Sequence, residues 1–120
     1  MSSRFCVTLS CARDGGDKAT AAFVIANAAL GSEKDTLVFL VSEGVRLSQQ
    51  GYADGIHDAG SAPLAEMIGG FIAGGGRLYV CSSCFTRRQL DEQQLVPGAK
   101  VVGGAKLVEF LADGCPCVSL

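Results

Sequence analysis

"DTLVFLVS", residues 35–42, holds five apolar residues in succession, Leu37 to Val41, so both faces of an extended segment here are apolar. A strand wetted on one side alternates apolar and polar residues. A strand covered by helices on both sides does not, and such double cover is the mark of a parallel sheet. The segment therefore predicts a central strand of an α/β fold. Upstream, "RFCVTLS" (4–10) is apolar and β-branched and runs into the polar, glycine-bearing loop "CARDGGD", which marks a second strand. Between the two strands, Ala19, Ala22, Phe23, Ala26 and Leu30 recur at helical spacing, with Asp17 as candidate N-cap and Gly31 as C-terminal stop.

The same alternation continues downstream. Residues 43–60, "EGVRLSQQGYADGIHDAG", carry no period and predict a long loop with room for one helical turn; loops of that length are usually functional or mobile. "SAPLAEMIGGFIAGGG" predicts a helix with Ser61 as cap and Pro63 in its first turn, weakened by Gly69 and Gly70. "RLYVC" (77–81) predicts a strand, followed by a short helix from about Ser83 to Asp91. A brief strand "AKVVG" (99–103), a helix "GAKLVEFLADG" closed by Gly114, and a last strand in "CPCVSL" complete the order. Five βα-type repeats predict a parallel sheet with helices on both faces, its functional edge at the carboxyl ends of the strands. No repeat, low-complexity run or linker divides the chain, and 120 residues suit one domain.

Composition narrows the partners. Apolar residues make up 48% and mean hydropathy is +0.33, while charged residues are 18%, below the usual ~25%. A small domain cannot bury such an excess alone, so a second copy of the chain is the expected cover and the protein is expected to be a homo-oligomer. A net charge of −2 argues against nucleic acid or an anionic membrane as partner. No run approaches the ~20 apolar residues of a membrane span. The N-terminus offers only about seven apolar-leaning residues before Arg13 and Asp14, too few for a signal peptide. A cytoplasmic, reducing location is expected, and six cysteines there ask for redox or metal chemistry more than for disulfides.

Cys81 and Cys84 form a Cys-x-x-Cys at the exit of a strand and the start of a helix, where unpaired N–H groups stabilise a thiolate. Arg87 and Arg88, one to two turns on, add positive potential, and a thiolate is the species that attacks sulfur. Against this stands plain packing, since free cysteine is among the most buried residues. Cys11 falls at another strand end and is expected to converge on the same edge. A zinc site of Cys81, Cys84, Cys115 and Cys117 is disfavoured by the tight Cys-Pro-Cys and by the whole βα unit between the pairs, so no metal or cofactor is expected. A thioredoxin-like site is disfavoured because it normally follows the first βα unit. Glu43, at the end of the central strand, is either a proton acceptor near the thiol or a solvated carboxylate. The "CARDGGDKAT" loop lacks the phosphate-loop spacing and predicts a tight turn, and His57 predicts a solvated loop side chain.

Several of these residues together resemble the DsrE/DsrF-like family, which includes the Tus D type of sulfur-relay subunit. The family pattern is a strand ending in a Glu-Gly-Val turn, here Glu43, Gly44 and Val45, then a strand ending in Cys with Arg-Arg six and seven residues on. Cys81, Arg87 and Arg88 keep that spacing, Cys84 matches the second thiol of many members, and "VPGAKVVGGAKLVEFLADG" is similar to the family's C-terminal part. The resemblance implies a three-layer α/β/α sandwich around a five-stranded parallel sheet, assembled as trimers or hexamers. It also implies that Cys81, helped by Cys84, carries a persulfide between sulfur donor and acceptor proteins. A non-catalytic ligand-binding or scaffold oligomer is the alternative. Two features depart from the pattern: Gln89 stands where a glycine usually follows the arginines, and the end "CPCVSL" carries Cys115 and Cys117.

Overall fold

The computed structural model describes residues 3–120 and contains a five-stranded sheet in the order β4-β3-β2-β1-β5, every pairing parallel. The strands are β1 (Arg4–Leu9), β2 (Asp35–Leu40), β3 (Arg77–Cys81), β4 (Ala99–Val102) and β5 (Cys117–Ser119). The helices are α1 (Gly16–Gly31), α2 (Leu64–Ala73), α3 (Ser82–Arg87) and α4 (Gly104–Leu111). β2 lies at the centre, and Leu37 to Leu40 are all buried, as unbroken apolar character demands.

The two faces of the sheet carry separate cores. Val7, Leu9, Val38, Leu40, Leu78 and Val80 pack against α1 and α2, where the Phe23 and Phe71 rings meet edge to face with centroids 5.8 Å apart. Each such ring contributes roughly 2–3 kcal/mol by burial. Phe85 of α3 joins this same core. Cys6, Leu37 and Phe39 point the other way and are covered by Phe110 of α4. This layering follows from right-handed crossovers. The chain steps in one direction from β1 to β4, putting α1, α2 and α3 on one face; the return to β5, beyond β1, puts α4 on the other.

Adjacent strands β3 and β4 are therefore followed by helices on opposite faces. Such a switch point opens a crevice beyond the carboxyl ends of the two strands, the usual place for chemistry in open α/β sheets. Cys81, the last residue of β3, stands there and packs partly against both cores.

Some helix ends differ from the sequence reading. α1 starts at Gly16 with Gly15 as its cap, so Asp17 lies in the first turn, its carboxylate accepting from the Lys18 N–H at 2.9 Å. It still favours the helix through the dipole. Ser61 does not cap α2. Pro63 holds that place with an extended ψ of 141°, and the Leu64 N–H donates to the Ile56 carbonyl at 2.9 Å. α3 stops at Arg87, short of Asp91, because Gln89 turns left-handed at φ +54° and the Leu90 N–H folds back onto the Phe85 carbonyl.

Candidate functional site

Cys81 leaves the sheet at φ −61°, ψ 118° and caps α3, so its half-buried thiol sits above the first turn of that helix. Burial pushes the thiol up, but hydrogen bonds outweigh it: the Ser83 side chain, the Cys84 N–H, the Cys84 side chain and the Ser83 N–H all favour the thiolate. The net result is a thiol held below its ordinary value. Cys81 Sγ lies 3.4 Å from Ser83 Oγ. The sulfur of Cys84, also half-buried, accepts from the Ser42 N–H at 3.3 Å. Ser42 adopts φ +50°, a left-handed conformation that costs a residue with a Cβ of the order of 1 kcal/mol. Its neighbours fix it there.

Those neighbours form the 3-10 segment Ser42–Ser48, which follows β2. Gly44 lets it lie directly on β1: a Cβ at this position would stand 2.2 Å from the Leu9 carbonyl oxygen. The segment is tied to α3 through Glu43, whose carboxylate accepts from Arg46 Nε at 2.8 Å and from Arg88 Nε at 2.6 Å. The Arg88 and Arg46 side chains together hold this carboxyl below the usual range. Both carboxylate oxygens are thereby engaged, so Glu43 links the segment to α3. Arg88 also donates to the Cys84 carbonyl at 3.3 Å, bracing the turn that carries the thiols. Arg87 points into solvent on the exposed side of α3.

Cys11 does not join the site. It is buried beneath the Arg13–Gly15 turn, its thiol donating to the Gly15 carbonyl at 3.5 Å, and burial with Asp14 nearby pushes it above its ordinary value. Cys117 opens β5 and Cys115 stands just before it, with β1 and β2 between that strand and β3, so the four thiols considered for zinc do not converge. Among the described residues no three His, Cys, Asp or Glu side chains gather as a metal site. His57 is exposed, its Nε2 2.6 Å from the Ser61 carbonyl.

A profile of the DsrE/DsrF-like family matches residues 4–117, nearly the whole length, with Glu43, Cys81 and the arginines inside the matched region. The chain belongs to the DsrE/DsrF-like family. The fold of this DsrE/DsrF-like chain is shared by YchN of E. coli, with a TM-score of 0.79 at 17% identity over 98% of this chain and 99% of that one. It is shared too by MTH1491 of Methanobacterium thermoautotrophicum, described as a protein of unknown function, with a TM-score of 0.68 at 16% identity over 97% and 99%. In sequence it is 25% identical over 96 residues to the uncharacterized protein MJ0760 of Methanocaldococcus jannaschii. That match takes in 80% of this chain but 35% of the relative, so this chain aligns with about a third of it.

Parts of the arrangement that carried no explicit reading in the sequence include Ser83 beside the Cys81 sulfur, Ser42 on the Cys84 sulfur, and Arg46 on Glu43. The first was signalled by the Ser-Ser between the thiols and the last by the Glu43–Arg46 spacing of three. The Ser42 contact joins residues 42 apart and leaves no local signal.

Proposed function

We propose that the protein is a persulfide sulfur carrier that works from Cys81. The observation that supports this most is the Cys81 thiol itself: it stands half-exposed at the β3/β4 switch point, 3.4 Å from Ser83 Oγ in the first turn of α3, and is held below its ordinary value. In this reading the Cys81 thiolate attacks the outer sulfur of a donor persulfide, forming Cys81–S–S–H and releasing the donor thiol. An acceptor thiolate then takes the outer sulfur, and the electron pair returns to Cys81. Ser83 and the helix-start N–H groups stabilise the negative charge whenever it rests on Cys81. Cys84 can attack the inner sulfur instead, expelling hydrosulfide and closing a Cys81–Cys84 disulfide, which discharges or protects the site.

The chemistry requires a reducing compartment, which we take to be the cytoplasm, and separate donor and acceptor proteins. No helix among the described residues is long and apolar enough to cross a membrane. We further propose a homo-oligomer of trimeric or hexameric order. Supporting it are Val24 and Val108, 49% and 68% exposed, and an open apolar groove between Ile68 and Ile72 of α2 and Val96–Pro97. Light scattering that returned a monomer mass at micromolar concentration would remove that part.

The test of the carrier reading is labile sulfur. Protein treated with polysulfide and desalted should release thiocyanate on cyanolysis, and Cys81→Ser should release far less. Equal release from wild type and Cys81→Ser would leave a ligand-binding or scaffold role.

A further inference from the structure

Three of the six cysteines lie away from the Cys81 site, at the edge where β5 pairs with β1. Cys6 and Cys117 are direct partners in the parallel register, as are Thr8 and Ser119 two residues on. Side chains in register on one face meet here: Thr8 Oγ1 donates to Ser119 Oγ at 2.7 Å. The Cys6 and Cys117 side chains share that face, and the Cys117 thiol makes a long 3.9 Å contact to the Val118 carbonyl. Neighbouring strands run ~4.8 Å apart, inside the ~4.4–6.8 Å span of Cα atoms that a disulfide bridges. Cys6 is fully buried under α4, whereas Cys117 is exposed on a strand with only one neighbour. Cys115, half-buried, is turned to its own chain, its thiol donating to the Pro116 carbonyl at 3.3 Å, while that same carbonyl accepts the Cys6 N–H. An accessible cysteine thus stands directly beside an inaccessible one, on two strands far apart in sequence.

We propose that the β1/β5 edge is a second thiol site, in which Cys117 takes up low-molecular-weight disulfides and Cys6 resolves the adduct into a Cys6–Cys117 disulfide. In the first step the Cys117 thiolate attacks one sulfur of the small disulfide, forming a mixed disulfide and expelling one small thiolate, which takes up a proton. In the second step Cys6 Sγ attacks Cys117 Sγ, and the second small thiolate leaves with the Cys6 proton. Two protein thiols are oxidised and one small disulfide is reduced to two thiols. Burial disfavours the Cys6 thiolate, so the side-by-side placement that the strand register imposes supplies the rate. The product ties the short C-terminal strand to β1 across nearly the whole chain, the loop length for which a cross-link restricts the unfolded state most. The site is independent of the carrier reading, because it uses neither Cys81 nor Cys84.

Glutathione disulfide is the probe, applied to the folded 120-residue chain. Trypsin leaves Cys6 and Cys11 in peptide 5–13, Cys115 and Cys117 in peptide 107–120, and Cys81 and Cys84 in peptide 78–87, so the two sites separate by mass and fragmentation assigns the cysteine within each peptide. The expected result under non-reducing conditions is peptide 5–13 joined to 107–120, with fragmentation locating the bond at Cys6 and Cys117. Tm should rise by about 10 °C and return on adding dithiothreitol. Cys115→Ser should keep the link and Cys117→Ser should lose it. Since the wild-type map alone decides the linkage, a variant that fails to fold does not spare the proposal. Glutathione left on Cys117 without a link, a Cys115–Cys117 loop, a bond through Cys11, or no reaction of the folded protein would each overturn it.

Discussion

Gly44→Ala is the substitution in which the fold and the site are most tightly joined. The new Cβ would stand 2.2 Å from the Leu9 oxygen and 3.0 Å from the Leu9 carbon, both backbone atoms of β1. β1 is held by β2 on one side and β5 on the other, and the same Leu9 oxygen accepts the Val41 N–H at 3.0 Å. No rotamer change relieves such a contact. The Ser42–Ser48 segment must retreat by about 1 Å, which loosens the Gly44-to-Val41 hydrogen bond and the hold of Ser42 and Glu43 on α3. Overpacking costs ~1–3 kcal/mol and each weakened hydrogen bond ~1 kcal/mol. Against these stands ~0.4–1 kcal/mol from restricting the unfolded chain. The net expectation is a loss of about 2–4 kcal/mol, a large share of the ~5–15 kcal/mol typical of a domain. Urea unfolding measures it as a fall in midpoint at unchanged slope. Gly69→Ala is the control: its Cβ meets nothing within 4 Å and it sits inside α2, so it should stabilise by ~0.5–1 kcal/mol. A Gly44→Ala loss below ~0.5 kcal/mol would refute the close-packing argument.

Other expectations follow from the same contacts. The rate of Cys81 alkylation by iodoacetamide should rise with pH through an inflection below the ~8.5 of a free thiol, and Ser83→Ala should move that inflection up. Glu43→Gln should leave the inflection in place, because the carboxylate anchors and does not accept a proton; a shifted or abolished inflection would restore it as a base. Glu43 titrates below its ordinary range in the folded state, so it stabilises the protein above the unfolded carboxyl pKa of ~4.3 and loses that contribution as pH falls through the folded value. Between neutral and acid pH, wild type should accordingly lose more stability than Glu43→Gln, which lacks that contribution at every pH, as measured by urea unfolding followed by circular dichroism. Gln89→Gly should stabilise by about 1 kcal/mol in urea, since Gln89 holds φ +54°.

The parts of the fold that repeat along the chain were legible in the sequence. Leu37 to Val41 predicted a doubly covered strand because helix cover on both faces removes the polar alternation, and "RLYVC" predicted β3 to the residue. Family spacing predicted the place of Cys81 at the strand end. Helix starts were less legible: Asp17 and Ser61 are good caps by type, yet backbone geometry at Gly15 and Pro63 took those places. Cys11 illustrates the limit of topology, since reaching the right edge of the sheet does not say whether a thiol turns outward or under the following turn. The role of Glu43 depended on Arg88, 45 residues away, and the partnership of Cys6 with Cys117 on a register spanning the chain; neither distance leaves a local pattern. Gln89 had a readable meaning in retrospect. The position takes a left-handed conformation, which explains why a glycine suits it and why its absence leaves the fold intact at a cost.

If sulfur is carried on Cys81, a peptide-level map of the loaded protein will find it there. Protein exposed to a persulfide donor, capped with an alkylating reagent and digested yields peptide 78–87, which holds both Cys81 and Cys84. The account predicts a gain of one sulfur atom on that peptide, located at Cys81 by fragmentation and absent from Cys81→Ser, with Cys84→Ser loading fully and holding its sulfur longer. An extra sulfur confined to Cys84, or found on Cys117 and not on peptide 78–87, would contradict it.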